Sequence, residues 1–353
     1  MSNPAQDVLW PTSSDILLRA AFLYVGQGQS TVLFAASNGT YKVLLIDIHN
    51  DKKNGGIDVP RMVKDLLKGK AKSIHAFVNT HPHNDHLCGV SELADCVDID
   101  EVWHSGHNPG KGHKDAYDEL QKVIKRVKER GGSETKLEGS RSSRKLGDVD
   151  YYVLAPAEYI VDDIADESAE TRYQRIHEQC AVLRMGLDPD WIMFTGDADR
   201  DAWEKHITDY HKERLPAKVL SAAHHGSRTF FRANEEEDPY RDALEAINPE
   251  YVIISAPKQS ESPHGHPHDD AVKEYSDYVG DDNVLHTGAD RYSYICDIFK
   301  NGGYEIEDDG GKLAKSYAAD DKDSSDGGSG GDKARKWAPA VFVTRVDERP
   351  MGA

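Results

Sequence analysis

Apolar residues in the first fifty positions come in short blocks separated by turn formers. Ile16 to Val25 runs into Gly26-Gln27-Gly28-Gln29, then Ser30 to Phe34 and Tyr41 to Asp47 follow, joined through Ser37-Asn38-Gly39. Blocks of this length between Gly and Asn-Gly turns predict strands linked as hairpins. A helix is predicted over Val59 to Leu67, with Pro60 in its first turn. Tyr117, Leu120, Ile124 and Val127 then recur at helical spacing until Gly131-Gly132 ends the run. Further strands are predicted at Ile74–Asn79, Tyr151–Leu154, Ala181–Met185, Trp191–Thr195, Ala217–Ala222, Tyr251–Ser255 and Tyr292–Phe299. Helices fit between several of them, and an acidic one is expected over Asp269–Tyr278. Strands and helices alternating in this way predict an α/β protein, its sheets covered by helices.

The pattern stops near Glu305. Asp321 to Gly331 is built of Asp, Lys, Ser and Gly and has nothing to bury, so 305–336 is expected to be a flexible linker. Trp337 to Val346 predicts one more strand, within a tail of 337–353 that could dock a protein partner. The main domain is therefore expected to span 1–304.

Charge narrows the range of partners. The 353 residues include 62 acidic and 43 basic ones, a net charge of −19. Duplex nucleic acid is gripped mainly through Lys and Arg on phosphate, so a surface that coats long polyanions is disfavoured. A phosphodiester substrate stays open, because a cation in a site governs the local field. The four cysteines (Cys88, Cys96, Cys180, Cys296) form no C-x-x-C pair, which fits free thiols in a reducing compartment. The N-terminus lacks the pattern of a signal peptide, and no apolar run approaches the ~20 residues that cross a bilayer. The expectation is a soluble, cytoplasmic protein without a membrane partner.

The densest chemistry lies in Thr80-His81-Pro82-His83-Asn84-Asp85-His86, directly after a predicted strand. Imidazole nitrogen and carboxylate oxygen suit zinc and other borderline divalent metals. His81 and His83, on alternate positions, can converge on one ion, while Asp85 and His86 can reach a second. Two more predicted strands end in similar residues, Trp191 to Asp197 in Gly196-Asp197 and Leu220 to Ser227 in His224-His225-Gly226. Each alone would pass for a turn aspartate or a surface histidine pair. Three strand ends bearing metal-capable residues point instead to one site gathered at a sheet edge. No convincing Ser/His/Asp set accompanies them.

These segments resemble the metallo-β-lactamase superfamily. Thr80–His86 matches its H-x-H-x-D-H motif, Leu44-Leu45-Ile46-Asp47 the earlier strand whose Asp supports the metal loop, and Phe194-Thr195-Gly196-Asp197 the strand of the bridging carboxylate. Val25-Gly26-Gln27-Gly28-Gln29-Ser30, His224-His225-Gly226-Ser227 and Gly265-His266-Pro267-His268 look like the soluble nuclease-like domain of ComEC-type competence proteins. The resemblance spans about residues 15–300. It implies an αββα sandwich of two packed mixed sheets with outer helices, and two divalent ions, zinc foremost with manganese as the other candidate. It places His81 and His83 at the first ion, Asp85 and His86 at the second, and Asp197 between them. His224 or His225 completes the second site. His177 is favoured over His104 and His107 for the first. Gln29 departs from the acidic residue usual in the ComEC-like turn, and His83 stands where that branch usually has Asp.

Two divalent ions sharing a carboxylate acidify water to hydroxide near neutral pH and neutralise charge developing on a phosphate or carbonyl oxygen. Asp85, His266 and His268 are the candidates for a direct part in catalysis, with one of the last two protonating a leaving group or holding a phosphate oxygen. Arg228, Arg232, Phe230 and Phe231 could form a clamp beside them, or simply anchor a loop. The function expected is phosphodiester hydrolysis on nucleic acid or nucleotides. The alternatives are a lactone, thioester or amide hydrolase, or a non-catalytic subunit of a bacterial defence-type complex.

Overall fold

The fold is seen in a computed structural model, which describes residues 3–50, 56–110 and 112–318. Fifteen strands occupy Ile16–Phe22 (β1), Thr31–Ser37 (β2), Thr40–Ile46 (β3), Ser73–Asn79 (β4), Asp98–His104 (β5), Ser133–Lys136 (β6), Arg144–Leu146 (β7) and Val149–Ala155 (β8). They continue with Val182–Leu187 (β9), Asp190–Phe194 (β10), Val219–Ser221 (β11), Tyr251–Ile254 (β12), Val284–His286 (β13), Tyr294–Phe299 (β14) and Tyr304–Asp308 (β15). One sheet runs β15-β14-β1-β2-β3-β4-β5-β6 and the other β13-β12-β11-β10-β9-β8-β7. Each is mixed. The first is antiparallel from β15 to β3 and parallel from β3 to β6. The second is parallel from β13 to β10 and antiparallel from there to β7.

Alternation along each strand explains the layering, because successive side chains point to opposite faces. In β2, Leu33 and Ala35 face the other sheet while Val32 and Phe34 face outward, and β3 repeats this with Leu44 and Ile46 against Val43 and Leu45. The inner layer meets Leu183, Ile192, Phe194 and Val219 of the second sheet, with Phe22 stacked on Phe194 at 5.8 Å. The outward residues of the first sheet are covered by helices Val59–Leu67, Val90–Cys96 and Lys114–Glu129. Those of the second are covered by Asp242–Ile247 and Asp269–Val279. Both faces of each sheet are dry, so the central strands carry near-continuous apolar runs. Helix, sheet, sheet, helix is the expected αββα sandwich.

One polar pair sits within this frame. Arg19 of β1 makes a bidentate contact with Asp297 of β14, through Nε at 2.7 Å and an Nη nitrogen at 2.6 Å. Its planar fork matches the carboxylate, so both charges are buried as a pair.

The expected linker boundary at 305 is corrected. Tyr304–Asp308 forms β15 on the edge of the first sheet, and Lys312–Ser316 is a helix that buries Leu313. The fold thus extends to at least Ala318, whose backbone bridges to Ile57. The strand expected at Trp337–Val346, and the remainder of the linker, lie outside the described residues. Among the described residues no helix is long and apolar enough to cross a membrane.

Candidate metal centre

Parallel strands leave their carboxyl ends at one rim of the sandwich, the usual place for sites in α/β sheets. Asp47 follows β3, His81 follows β4, Asp197 follows β10, and His224-His225 follow β11. The first two belong to one sheet and the last three to the other, so the site lies where the sheets meet.

Asp47 organises the histidine loop. Its Oδ1 accepts hydrogen bonds from the Thr80 backbone N–H at 2.8 Å and Asn79 Nδ2 at 3.1 Å. Its Oδ2 accepts from the Thr80 hydroxyl at 2.6 Å and pairs with His86 Nδ1 at 2.7 Å. With Nδ1 held by a buried carboxylate, the His86 ring turns its Nε2 toward the centre. His225 is set in the same way, its Nδ1–H donating to the Ser255 carbonyl at 2.9 Å.

Asp197 is fully buried, and neither carboxylate oxygen has a hydrogen-bond partner. Imidazoles surround it. His86 Nε2 is 3.1 Å from Oδ1 and His225 Nε2 3.7 Å from the same oxygen. His81, His224 and His177 present Nε2 to Oδ2 at 3.5, 3.7 and 3.9 Å. Burial alone would push the Asp197 carboxyl up, but the surrounding imidazoles, His86 and His225 foremost, outweigh it and hold it well below the usual range. Burial and the neighbouring His86 push His81 down to about 3. Burial likewise lowers His83 and His177, with other imidazoles adding to the effect. These three rings are held toward the neutral form that a metal ligand needs, whereas burial of His86 and His225 is outweighed by Asp197, with Asp47 and Asp85, and both are raised, so an ion there would displace a proton.

Two sets of atoms satisfy the geometry of a metal site, each set within 4.8 Å throughout. One comprises His81, His83, His177 and Asp197; the other comprises Asp85, His86, His225 and Asp197. The residues therefore fit two metal ions. The carboxylate that both sets share has no other partner, and His81 Nε2 is likewise buried without one. Gly196 is required immediately before it. Its φ is +49°, and a Cβ there would lie 2.6 Å from Cys180 Sγ and 2.8 Å from Thr80 Cβ.

The structure places the sequence candidates differently with respect to the two sets. His177 is in the first set, with Nε2 3.4 Å from His83 Nδ1. His104 has both ring nitrogens engaged elsewhere, with Glu134 and with the Gly106 N–H, and His107 Nδ1 is 2.6 Å from Gln179. His225 reaches Asp85 at 3.3 Å, whereas His224 pairs its Nδ1 with the Thr229 hydroxyl and lies beside Asp197 outside both sets. The separation comes from the backbone, since His224 and His225 are both left-handed, with φ of +49° and +57°. His266 borders the site, its ring 5.1 Å from His224, with Nδ1 buried and unpartnered. His268 is one ring further out and accepts the Arg228 N–H at 3.1 Å.

The phosphate-and-base clamp is not formed. Phe230 and Phe231 are fully buried in the outer core, Arg228 pairs with Glu235 and Asp270, and Arg232 pairs with Glu274. Residues that the sequence did not single out are Cys180 and His113. Cys180 Sγ accepts the Asp197 N–H at 3.3 Å, and the His113 ring lies 4.0 Å from that of His83. Nothing in the sequence marked either of them.

No protein-family model and no curated relative matches this sequence. Solved structures share features of its fold at low identity. CmlA, a diiron β-hydroxylase from Streptomyces venezuelae, is similar at 13% identity and a TM-score of 0.41, over 78% of this chain and 53% of that one. A diphosphatase of the PhnP family is similar at 13% identity and 0.37, over 76% and 94% of the two chains. Unliganded yeast PDE1 is similar at 12% identity and 0.43, over 77% and 97%.

Proposed function

We propose that this protein is a metal-dependent hydrolase that cleaves phosphodiesters of nucleotides or nucleic acid. The observation that carries the hydrolase reading is Asp197, a buried carboxylate with no hydrogen bond of its own and shared by two ligand sets. His81, His83 and His177 would hold one ion with Asp197, and Asp85, His86 and His225 the other. Their imidazole and carboxylate donors suit zinc, with manganese second. Such a pair supplies Lewis acidity toward a phosphoryl oxygen and lowers the pKa of water.

The remaining residues serve the substrate. His224, outside both sets, is placed to donate a hydrogen bond to a substrate oxygen. His266, buried beside it with Nδ1 unpartnered, is pushed down to about 3 by burial and by His224, so as a neutral ring it is the better of the two sequence candidates for hydrogen-bonding a substrate oxygen. His268 is occupied by the Arg228 backbone and positions that loop. The phosphodiester choice is supported by the resemblance in the Gly26–Gln29, His224–Ser227 and Gly265–His268 segments.

The test is a substrate panel on the zinc-loaded and manganese-loaded full chain. Bis(p-nitrophenyl) phosphate, oligonucleotides and cyclic dinucleotides are compared with lactones, thioesters and amides. Turnover of phosphodiesters alone is the expected result. Turnover confined to the second group would replace this reading with the other hydrolase class, and none in either would favour a non-catalytic role.

A further inference from the structure

Beside the ligand sets lies a run of rings that the chemistry above does not use. His113 packs on His83 with centroids 4.0 Å apart, and Tyr173 stacks on His113 at 5.9 Å with an interplanar angle of 17°. The run begins at a candidate ligand and leads outward to Tyr173, which is 37% exposed. We propose that Tyr173, backed by His113, is a stacking platform for the nucleobase of a substrate whose phosphodiester lies at the centre. The proposal rests on the phosphodiester reading and adds a specificity residue to it.

The platform is built rather than incidental. Gly112 packs so closely on the tyrosine that a Cβ would lie 2.5 Å from Tyr173 Cε2, and Gly110 meets Ala169 in the same helix, Ala169–Gln174. The loop therefore packs both on the ring and on the start of the helix that carries it. His113 takes a left-handed φ of +41°, a conformation uncommon outside glycine and concentrated at functional sites. Its Nδ1 accepts the Asn84 N–H at 3.3 Å, which ties the platform to the metal loop itself. Tyrosine suits the task, since it offers a large face on a side chain with only two torsions to fix. Every base has a π-face, so stacking of this kind selects for a base without reading its identity.

The experiment uses the full zinc-loaded chain and two esters with the same leaving group. One is the p-nitrophenyl ester of thymidine monophosphate, the other methyl p-nitrophenyl phosphate. Wild-type protein should favour the thymidine ester in kcat/KM, chiefly through KM. In Tyr173→Ala that preference should fall by about tenfold, the scale of one base–aromatic stack, and Tyr173→Trp should restore it. Ala169–Gln174 buries no residue, so both variants should fold. An unchanged preference in Tyr173→Ala, or one that Trp fails to restore, overturns the platform while the phosphodiesterase reading stands. If wild-type protein turns over neither ester, the underlying reading fails and the platform falls with it.

Discussion

Replacing Asp47 by Asn changes one oxygen to NH2 and leaves the shape intact, so it tests how this centre is oriented. The Oδ1 position faces the Thr80 backbone N–H, which cannot turn, and the amide of Asn79. The new carboxamide must therefore keep its oxygen there and place NH2 at the Oδ2 position. The Thr80 hydroxyl can rotate to accept from it, but the His86 Nδ1–H loses its acceptor. His86 then has no carboxylate fixing its Nδ1–H, and with it loses what turns Nε2, 3.1 Å from Asp197 Oδ1, toward an ion. Loss of a hydrogen bond to a charged group is worth about 1.5–3 kcal/mol. That agrees with the roughly 10–100-fold loss of metal affinity usual when such a supporting partner is changed. Competition with a chromophoric chelator for zinc should show a weakening of that size in Asp47→Asn. Zinc affinity within about twofold of wild type would refute the reasoning, given that a factor of ten is ~1.4 kcal/mol.

Four other outcomes follow from the same geometry. Asp197→Ala should lower metal content at both ligand sets together in elemental analysis, and retention of one full complement would contradict the sharing. Gly196→Ala forces a Cβ against Cys180 and Thr80 at positive φ and should destabilise the protein by about 1–3 kcal/mol in urea unfolding. Asp297→Ala strands the buried Arg19 charge and should lower stability by about 3–5 kcal/mol, whereas a surface pair would change the urea midpoint little. Burial lowers the pKa of His211 to about 4. The unfolded chain therefore takes up that proton first, and stability is lost as pH falls from about 6.5 toward 4. His211→Gln should flatten the loss in that window by about 1–2 kcal/mol, after allowance for solvent screening; an identical pH dependence in the variant would count against it.

Strands dry on both faces were legible because their apolar runs are nearly unbroken, as in β1 to β4. Strand β5 was not, since Asp98, Asp100 and Glu101 interrupt its apolar residues and only Ile99, Val102, Trp103 and His104 are buried. The edge strand β15 misled in the same way. Its Glu305, Glu307 and Asp308 look like the start of an acidic linker, while Tyr304 and Ile306 are buried between them. At the site, the ligand types and their strand ends could be read directly. The grouping of His225, rather than His224, with Asp85 and His86 could not, because it follows from two consecutive left-handed residues and not from side-chain identity. His113 was hidden for another reason: it enters from a glycine-rich loop about thirty residues away, and only packing brings it to the motif.

Each ligand set draws two residues from the first sheet and two from the second. His81 and His83 face His177 and Asp197, and Asp85 and His86 face His225 and Asp197. An ion in either set is accordingly a rivet through the seam of the sandwich, joining halves that at that rim are also tied by the Ala181 N–H on the Thr80 carbonyl at 2.8 Å and by Gln29 on the Ser221 hydroxyl at 3.3 Å. Chelation should then loosen the seam from this end first, with amide exchange rising at Thr80 and Thr195 before it rises in the strands behind them. The same arrangement makes the centre a gauge of how closely the two sheets are seated.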